Sequence, residues 1–383
     1  MRVFFQEVRD FFRKGDLVLL FLCLVTTAFG LLVIASATNH MGYGRFVLIQ
    51  AFAAGLGVGF YILMSSLDLD ALFEHRVSMV LFNSFLLLLL IPFGTDNGSG
   101  NRSWLDFPLL PVNIQPAEIC KITYILIMAS VMSSYQNRLS SIQSVLHMAL
   151  HLALLVGLNM AMSSDLGVSL IFVFIFIGMA WAGGVNIGWF LLAGAVVVVA
   201  IPSLWPLLGT YQQERFEILW NPELDPLGLD ARYQLVRTLR ALTGGGLTGQ
   251  GLFHGLRTQS GYLPAQHTDA ILATIGEEMG FLGCLLVAVL LLAIVARCIY
   301  IGIHTPDFSR RLVCFGAASA LIFQIFVNVG MNIGVAPIIG LTLPFISYGG
   351  SSIVTIYAML GLVSGVKARP APGKQGTYIQ PPR

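Results

Sequence analysis

Three carboxylates stand at the start of a long apolar run, in the stretch GYLPAQHTDAILATIGEEMG at residues 261–280. Each ionised carboxylate at the centre of a membrane helix costs about 2.5–3.5 kcal/mol, so such residues usually serve a function. Asp269 precedes the apolar run, whereas Glu277 and Glu278 lie about two helical turns, or about 12 Å, further along it. A carboxylate at a membrane surface can take part in acid–base chemistry. We therefore expect Asp269 to carry chemistry and the two glutamates to pair inside a helical bundle.

Two further sites place charge at the ends of neighbouring apolar runs. Glu118 and Lys121 are spaced i, i+3 and can pair on one helix face. Asp165 stands in SSDLGVSL, between two apolar runs. These residues are candidates for binding a polar substrate. The alternatives are a purely structural ion pair for the first two residues and a helix N-cap for Asp165.

Uncharged polar residues complete the set. Gln324, Asn328 and Asn332 form an i, i+4, i+8 stripe, of which Asn328 is a substrate-binding candidate. The segment SYGGSS precedes the last apolar run and contains Ser351 and Ser352. The free amides at a helix N-terminus bind phosphate oxygens, so these serines are candidates for a diphosphate site; they could also be simple N-caps.

Arginines in two predicted loops are also candidates for a diphosphate. Arg237 and Arg240 lie in ARYQLVRTLRALT, where apolar and cationic residues occupy different arcs of a predicted helix. Contact with phosphate and anchoring to lipid headgroups fit this pattern equally well. Arg102 lies in the earlier loop segment GNRSWLDF.

The elements that must position these residues are membrane helices. The chain is 56% hydrophobic and 10% charged, and a membrane-spanning helix needs about 20 apolar residues. We predict an all-α polytopic membrane protein with about ten spans. They lie near residues 17–38, 45–64, 77–94, 119–135, 145–162, 167–184, 187–207, 270–301, 312–330 and 351–366.

The distribution of basic residues predicts the orientation. With a cytoplasmic N-terminus, ten spans return the C-terminus to the cytoplasm, and the cytoplasmic segments hold 13 of the 21 Lys and Arg residues. Residues 1–366 then form one integral-membrane domain. Residues 208–269 form a large extracytoplasmic loop between spans seven and eight, and residues 367–383 form a disordered cytoplasmic tail.

Several patterns fail as cofactor or metal motifs. The glycines in GGGLTGQGL match a dinucleotide fingerprint, but no βαβ unit surrounds them. His147 and His151 have a zinc-compatible i, i+4 spacing, but no nearby Glu or Cys completes a site. The five cysteines form no CxxC pair. We interpret them as small apolar side chains and not as a disulfide framework or a metal site. We predict no metal-ligand set, and membrane lipids rather than nucleic acid as partners.

Long motifs across the chain resemble the SEDS family of cell-wall glycosyltransferases, the RodA, FtsW and SpoVE group. They include NIQPAEICK, SDLGVSL, YLPAQHTDAILATIGEEMGFLG and NVGMNIGVAPIIGLTLPFISYGGSSIV. The segment NPELDPLG is more similar to RodA than to FtsW. Glu118, Lys121, Asp165 and Asp269 match the family pattern directly, whereas Ser103 stands where the family usually has arginine, one place after Arg102.

The resemblance implies a peptidoglycan glycosyltransferase in the bacterial cytoplasmic membrane, serving cell shape or division. Such an enzyme polymerises lipid II with inversion at the anomeric carbon and release of undecaprenyl diphosphate. Asp269 would be the general base, Lys121 and the loop arginines would bind diphosphate, and a class B penicillin-binding protein would be the transpeptidase partner. Mg²⁺ or Mn²⁺ could assist, although nothing in the sequence requires a cofactor. The alternatives are a lipid II flippase and a non-catalytic scaffold that activates the transpeptidase.

Overall fold

The computed structural model describes residues 13–42, 44–95, 102–106, 113–207, 209–226, 229 and 232–368, and most of them lie in helices. Of the predicted tail, residues 367–383, the first two belong to the last helix instead, and the rest lie outside the described residues. The elements, in chain order, are α1 Leu17–Ala37, α2 Gly44–Ser66, α3 Leu69–Glu74, α4 Arg76–Leu88, α5 Leu90–Phe93, β1 Gly94–Thr95, β2 Trp104–Leu105, α6 Pro116–Ser134, α7 Ile142–Ser163, α8 Leu166–Gly183, α9 Ile187–Leu204, α10 Thr210–Trp220, α11 Tyr233–Gly244, α12 Leu256–Gln259, α13 Ile271–Ile303, α14 Phe308–Ile333 and α15 Gly350–Ala368.

The predicted membrane architecture is confirmed. Nine helices among the described residues are long and apolar enough to cross a membrane, counting α4 and α5 together as Arg76–Phe93. The remaining predicted span, the seventh in chain order, corresponds to α9, which is slightly shorter than these nine helices. Each of these ten helices begins and ends within four residues of its predicted span, again counting α4 and α5 together. The apolar runs alone therefore determine where the helices lie.

Helices α6, α14 and α15 are the most buried of the spans, and α15 packs along α2 through glycine. A Cβ atom on Gly361 would lie 2.5 Å from the carbonyl oxygen of Tyr61, and one on Gly57 would lie 2.7 Å from the Tyr357 ring. Small residues let two helix backbones approach closely where no hydrophobic driving force acts between helices. This contact fixes α15 at the centre of the bundle.

One end of the bundle is held by a buried carboxylate. Asp16 caps α1 by accepting a hydrogen bond from the Leu19 amide at 2.8 Å. Its carboxylate also pairs with Arg297 of α13 at 2.7 Å and with Lys367 of α15 at 3.0 Å. The first helix is therefore tied to two of the last three at this end.

Helix α13 is broken at Gly280, which has φ 66° and ψ −163°. The glycine-rich stretch after α11 packs against the break. The Gln250 amide donates to the Glu277 carbonyl at 3.0 Å, and the Phe281 amide donates to the Gly246 carbonyl at 2.9 Å. A Cβ on Gly280 would lie 2.4 Å from the Gly249 nitrogen. The glycines allow the loop and the helix backbone to approach closely, because a side chain would not fit between them.

Glu277 and Glu278 pair inside the protein as expected, and their partners lie in α1 and in the loop before Asp269. Glu277 accepts hydrogen bonds from the amide and hydroxyl of Thr258, both at 2.8 Å. Glu278 accepts from Ser36 of α1 at 2.5 Å and from Gln259 at 2.8 Å. Both carboxylates are buried and hold the loop that leads to Asp269.

Candidate active site

A cavity of about 890 Å³ opens at the end of the bundle opposite Asp16. The start of α2, the N-termini of α6, α8 and α15, helix α10 and the loops 265–269 and 338–342 form its walls. Candidates from five parts of the sequence meet in it: Glu118, Asp165, Asp269, Gln324 and Ser352. The polar residues singled out from the sequence therefore share one site.

Asp269 is fixed through its backbone. The side-chain amides of Asn328 and Asn332 both donate to its carbonyl oxygen, at 3.1 Å and 3.0 Å. Asn328 also donates to the carbonyl of Leu341 at 2.7 Å, so it joins the loop before α13 to the loop after α14. The predicted asparagine stripe on α14 thus positions Asp269, and Asn328 itself is buried behind the cavity wall.

The Asp269 carboxyl is half-buried at the cavity wall. Burial raises its pKa from 3.8 to about 6, because a desolvated carboxylate is disfavoured. The positive charge of Arg215 acts in the opposite direction, and the negative charge of Asp165 adds to the rise. A carboxyl with this pKa is mostly ionised at neutral pH and close to the value that suits a general base.

Asp165 is an N-cap that also lines the cavity. One carboxylate oxygen accepts from the Val168 amide at 3.1 Å. The other accepts from Gln115 at 3.0 Å and from Ser103 at 3.4 Å. Burial raises its pKa. Asp165 thus holds the segment before α6 against the start of α8, which supports the capping alternative without excluding contact with a ligand.

Glu118 and Lys121 form a buried ion pair with 2.7 Å between Nζ and Oε1. The second carboxylate oxygen of Glu118 accepts from Thr355 of α15 at 2.8 Å. Glu118 lines the cavity, whereas Lys121 is not among the described residues that line it. The pair therefore fastens α6 to α15, as its structural alternative predicts, and Lys121 lies behind the wall.

The N-terminus of α15 opens into the cavity at Gly349, Gly350 and Ser352. The Gly349 amide is already occupied by Gln50, at 3.1 Å. The hydroxyls of Ser351 and Ser352 are buried and have no hydrogen-bond partner among the described residues. Free helix amides and an unpaired hydroxyl at one wall can hold an anion.

Sequence reasoning missed three basic side chains in the cavity. Arg45 at the start of α2, Arg215 of α10 and His267 all line it. The Arg215 guanidinium donates to the Ile338 carbonyl, and His267 packs edge-on against Phe46, with ring centres 5.3 Å apart. Arg215 carries a weak signal, since it sits in the polar stretch YQQERFE, and His267 lies two residues before Asp269. Only the fold brings them together.

The three predicted loop arginines lie elsewhere. The Arg237 guanidinium stacks between the rings of Tyr233 and Tyr262, 3.9 Å from each centre. Arg240 donates to the Tyr262 hydroxyl at 3.4 Å, and Arg102 is exposed. None of the three is among the described residues that line the cavity. Helix α11, which carries two of them, packs on α13 and α14 instead of lying alone along a membrane surface.

Within the described part of the chain, no three His, Cys, Asp or Glu side chains come together in a metal-binding group. His147 instead contacts the hydroxyl of Tyr135 at 3.0 Å. Two of the described acidic groups of the cavity, Asp165 and Glu118, are bound to protein donors.

Comparisons with known proteins agree along nearly the whole chain. Residues 16–370 match the family model FTSW_RODA_SPOVE, described as a cell cycle protein. The "Probable peptidoglycan glycosyltransferase FtsW" of a Geobacter species is 32% identical over 368 residues, covering 92% of this chain and 97% of that protein. The "Peptidoglycan glycosyltransferase MrdB" of Escherichia coli is 34% identical over 286 residues, covering 73% of this chain and 74% of that protein.

Solved structures share the fold. A chain from a peptidoglycan synthase complex, described for the coordination of polymerization and crosslinking, matches with a TM-score of 0.78 and 30% identity. The match covers 92% of this chain and 97% of that chain. The rod shape determining protein RodA of Thermus thermophilus matches with a TM-score of 0.69 and 26% identity, covering 92% and 96% of the two chains.

Proposed function

Because this chain belongs to the FtsW, RodA and SpoVE family, we propose that it polymerises lipid II into glycan strands with Asp269 as the general base. It is a multi-pass membrane protein and a peptidoglycan glycosyltransferase of cell-wall synthesis, like the FtsW and MrdB relatives. The mechanism, the substrate and the roles of individual residues are the proposal.

A single observation carries the mechanism: a carboxyl with a pKa of about 6 faces a cavity large enough for a sugar and a diphosphate. The attacking group in glycan synthesis is a sugar hydroxyl, which is a weak nucleophile. A positioned base that accepts its proton contributes about 10²–10⁴-fold to the rate. Asp269 has the required acidity, and its backbone is fixed by Asn328 and Asn332.

The leaving diphosphate needs positive charge where its negative charge develops. Arg45, Arg215 and the start of α15 supply positive charge and amide donors in the cavity that contains Asp269. We therefore assign the diphosphate to these groups in place of the predicted Lys121, whose Nζ is bound to Glu118. Ser352 contributes a hydroxyl donor.

The opposite end of the bundle supports polymerisation over lipid transport. Asp16 is buried there in ion pairs with Arg297 and Lys367. A transport path would need polar groups leading from this end to the cavity, whereas the groups at this end are bound to one another. The proposed orientation places Asp16 and both termini on the cytoplasmic side, and the cavity on the outer side. The proposed partner is a class B penicillin-binding protein.

The test is polymerisation of labelled lipid II by the purified protein with its transpeptidase partner. Wild type should produce a ladder of glycan chains, and Asp269→Asn should lower the initial rate by at least about 100-fold. Asp70→Asn is the matched control, because Asp70 is a half-exposed carboxylate that pairs with Arg310 outside the cavity.

Three outcomes are decisive. A folded Asp269→Asn protein with a near-normal rate would eliminate the general-base role. A wild-type protein that makes no glycan chains but stimulates the partner would support the scaffold alternative. An equal loss in both variants would point to damage unrelated to the chemistry.

A further inference from the structure

Gln324 of α14 presents a buried amide to the cavity and has no protein partner for its oxygen. The residue is 1% exposed, and its Oε1 atom has no hydrogen-bond partner among the described residues. Buried side-chain oxygens in native proteins are nearly always paired, because an unpaired one is destabilising. An unpaired amide at a cavity wall therefore indicates a ligand that supplies the missing donor.

The position of Gln324 relates it to the proposed reaction centre. It lies four residues before Asn328, so it is one helical turn, or about 6 Å, along the same face of α14. Asn328 holds the backbone of Asp269. Ser352, at the start of α15, lines the same cavity with an unpaired hydroxyl. A substrate that reaches both Asp269 and Ser352 passes the α14 wall where Gln324 lies.

The chemistry of the amide narrows the ligand. A glutamine side chain has an acceptor oxygen and two N–H donors. Phosphate oxygens cannot satisfy the Gln324 oxygen, since they only accept. A secondary acetamide offers one N–H, which can donate to the unpaired Gln324 oxygen. The amino sugars of the proposed substrate carry such a group at carbon 2.

We propose that Gln324 recognises the 2-acetamido group of the sugar that is attached to the diphosphate. The inference depends on the proposed function and adds a specificity to it. Gln324 acts on substrate selection and on binding in the transition state, while proton transfer remains with Asp269.

The experiment compares lipid II with an analogue in which this one acetamido group is replaced by an acetoxy group, which keeps the shape and the carbonyl but lacks the N–H donor. Wild-type protein with its partner should use the analogue with a kcat/KM about 10- to 100-fold lower, as expected when a buried acceptor loses its donor. Gln324→Met, which keeps a similar volume, should lower kcat/KM for natural lipid II by a similar factor and for the analogue by less than about 3-fold. Ser319→Ala is the matched control, because Ser319 lies on the same helix and donates to the Phe315 carbonyl away from the cavity.

The outcomes distinguish a failure of acetamide recognition by Gln324 from a failure of the proposed polymerase function. Equal rates with both substrates in the wild type would overturn the inference, as would an equal loss on both substrates in Gln324→Met. The wild-type comparison stands alone if the variant fails to fold. If wild type polymerises neither substrate, the proposed function fails instead.

Discussion

The acidity of Asp269 predicts how the rate depends on pH. With a pKa of about 6, the carboxyl is about 90% ionised at pH 7 and about 10% ionised at pH 5. If the ionised form is the base, the rate of glycan synthesis should fall about tenfold between these pH values. A carboxyl with the ordinary value of 3.8 would lose less than about a tenth of its activity over the same range.

The same acidity predicts an unusual effect on stability. A rise of about two units corresponds to at most about 3 kcal/mol of destabilisation of the ionised native state. Because the carboxyl is only half-buried, about 1–3 kcal/mol is expected. The folded pKa exceeds the unfolded one, so this cost is absent below pH 4, grows up to pH 6 and is constant above it. Asp269→Asn should therefore be more stable than wild type at pH 7.5 and no more stable at pH 4.

Two measurements check these predictions. Initial rates of chain formation from labelled lipid II are recorded between pH 5 and 8, and thermal unfolding of the detergent-solubilised proteins is recorded at pH 7.5 and pH 4. His267 also lines the cavity, and burial lowers its pKa, so His267→Gln identifies any contribution from its titration. A flat rate between pH 5 and 7, or an Asp269→Asn protein less stable than wild type at pH 7.5, would refute the reasoning.

Three other predictions concern charge, backbone and orientation. Arg215→Gln should move the acidic limb of the rate profile to higher pH, because the positive charge of Arg215 lowers the pKa of Asp269; an unchanged limb would show that the two groups do not interact. Gly280→Ala should lower thermal stability by at least about 1–3 kcal/mol, since its backbone conformation excludes a side chain and the new Cβ would meet the Gly249 nitrogen at 2.4 Å. Gly59→Ala is the control, with nothing within 4 Å of its Cβ, and equal melting of the two variants would contradict the prediction. Tags at both termini should be protected in intact cells while one near Gly255 is accessible, and a protected Gly255 tag would reverse the proposed orientation.

The membrane helices were predictable because their signal is local. A run of apolar residues long enough to span a bilayer defines a helix without reference to the rest of the chain, and helix ends such as Asp165 carry their own caps. The common location of Glu118, Asp165 and Asp269 also followed from the order of the spans, since all three lie at the same end of the bundle.

The remaining features depend on contacts between distant segments. The break at Gly280 exists because residues 246–251 pair with the backbone of α13, and no local pattern specifies that pairing. For the same reason the sequence could not name the partners of Glu277, which are Thr258 and Arg257. Arg45 and Arg215 are separated by 170 positions and meet only when α2 and α10 are placed around the cavity. Lys121 has the right charge for a diphosphate, but the structure directs it to Glu118.

The ion pairs of Asp16 also relate the order of synthesis to the completed fold. Asp16 caps α1, and its two cationic partners follow 281 and 351 positions later in the chain. A nascent chain that has released only its first helices holds this carboxylate without either cation. Once Arg297 and then Lys367 have been synthesised, they neutralise this carboxylate and hold α1 against α13 and α15. Burial of Asp16 therefore marks a chain in which α1, α13 and α15 have all packed together.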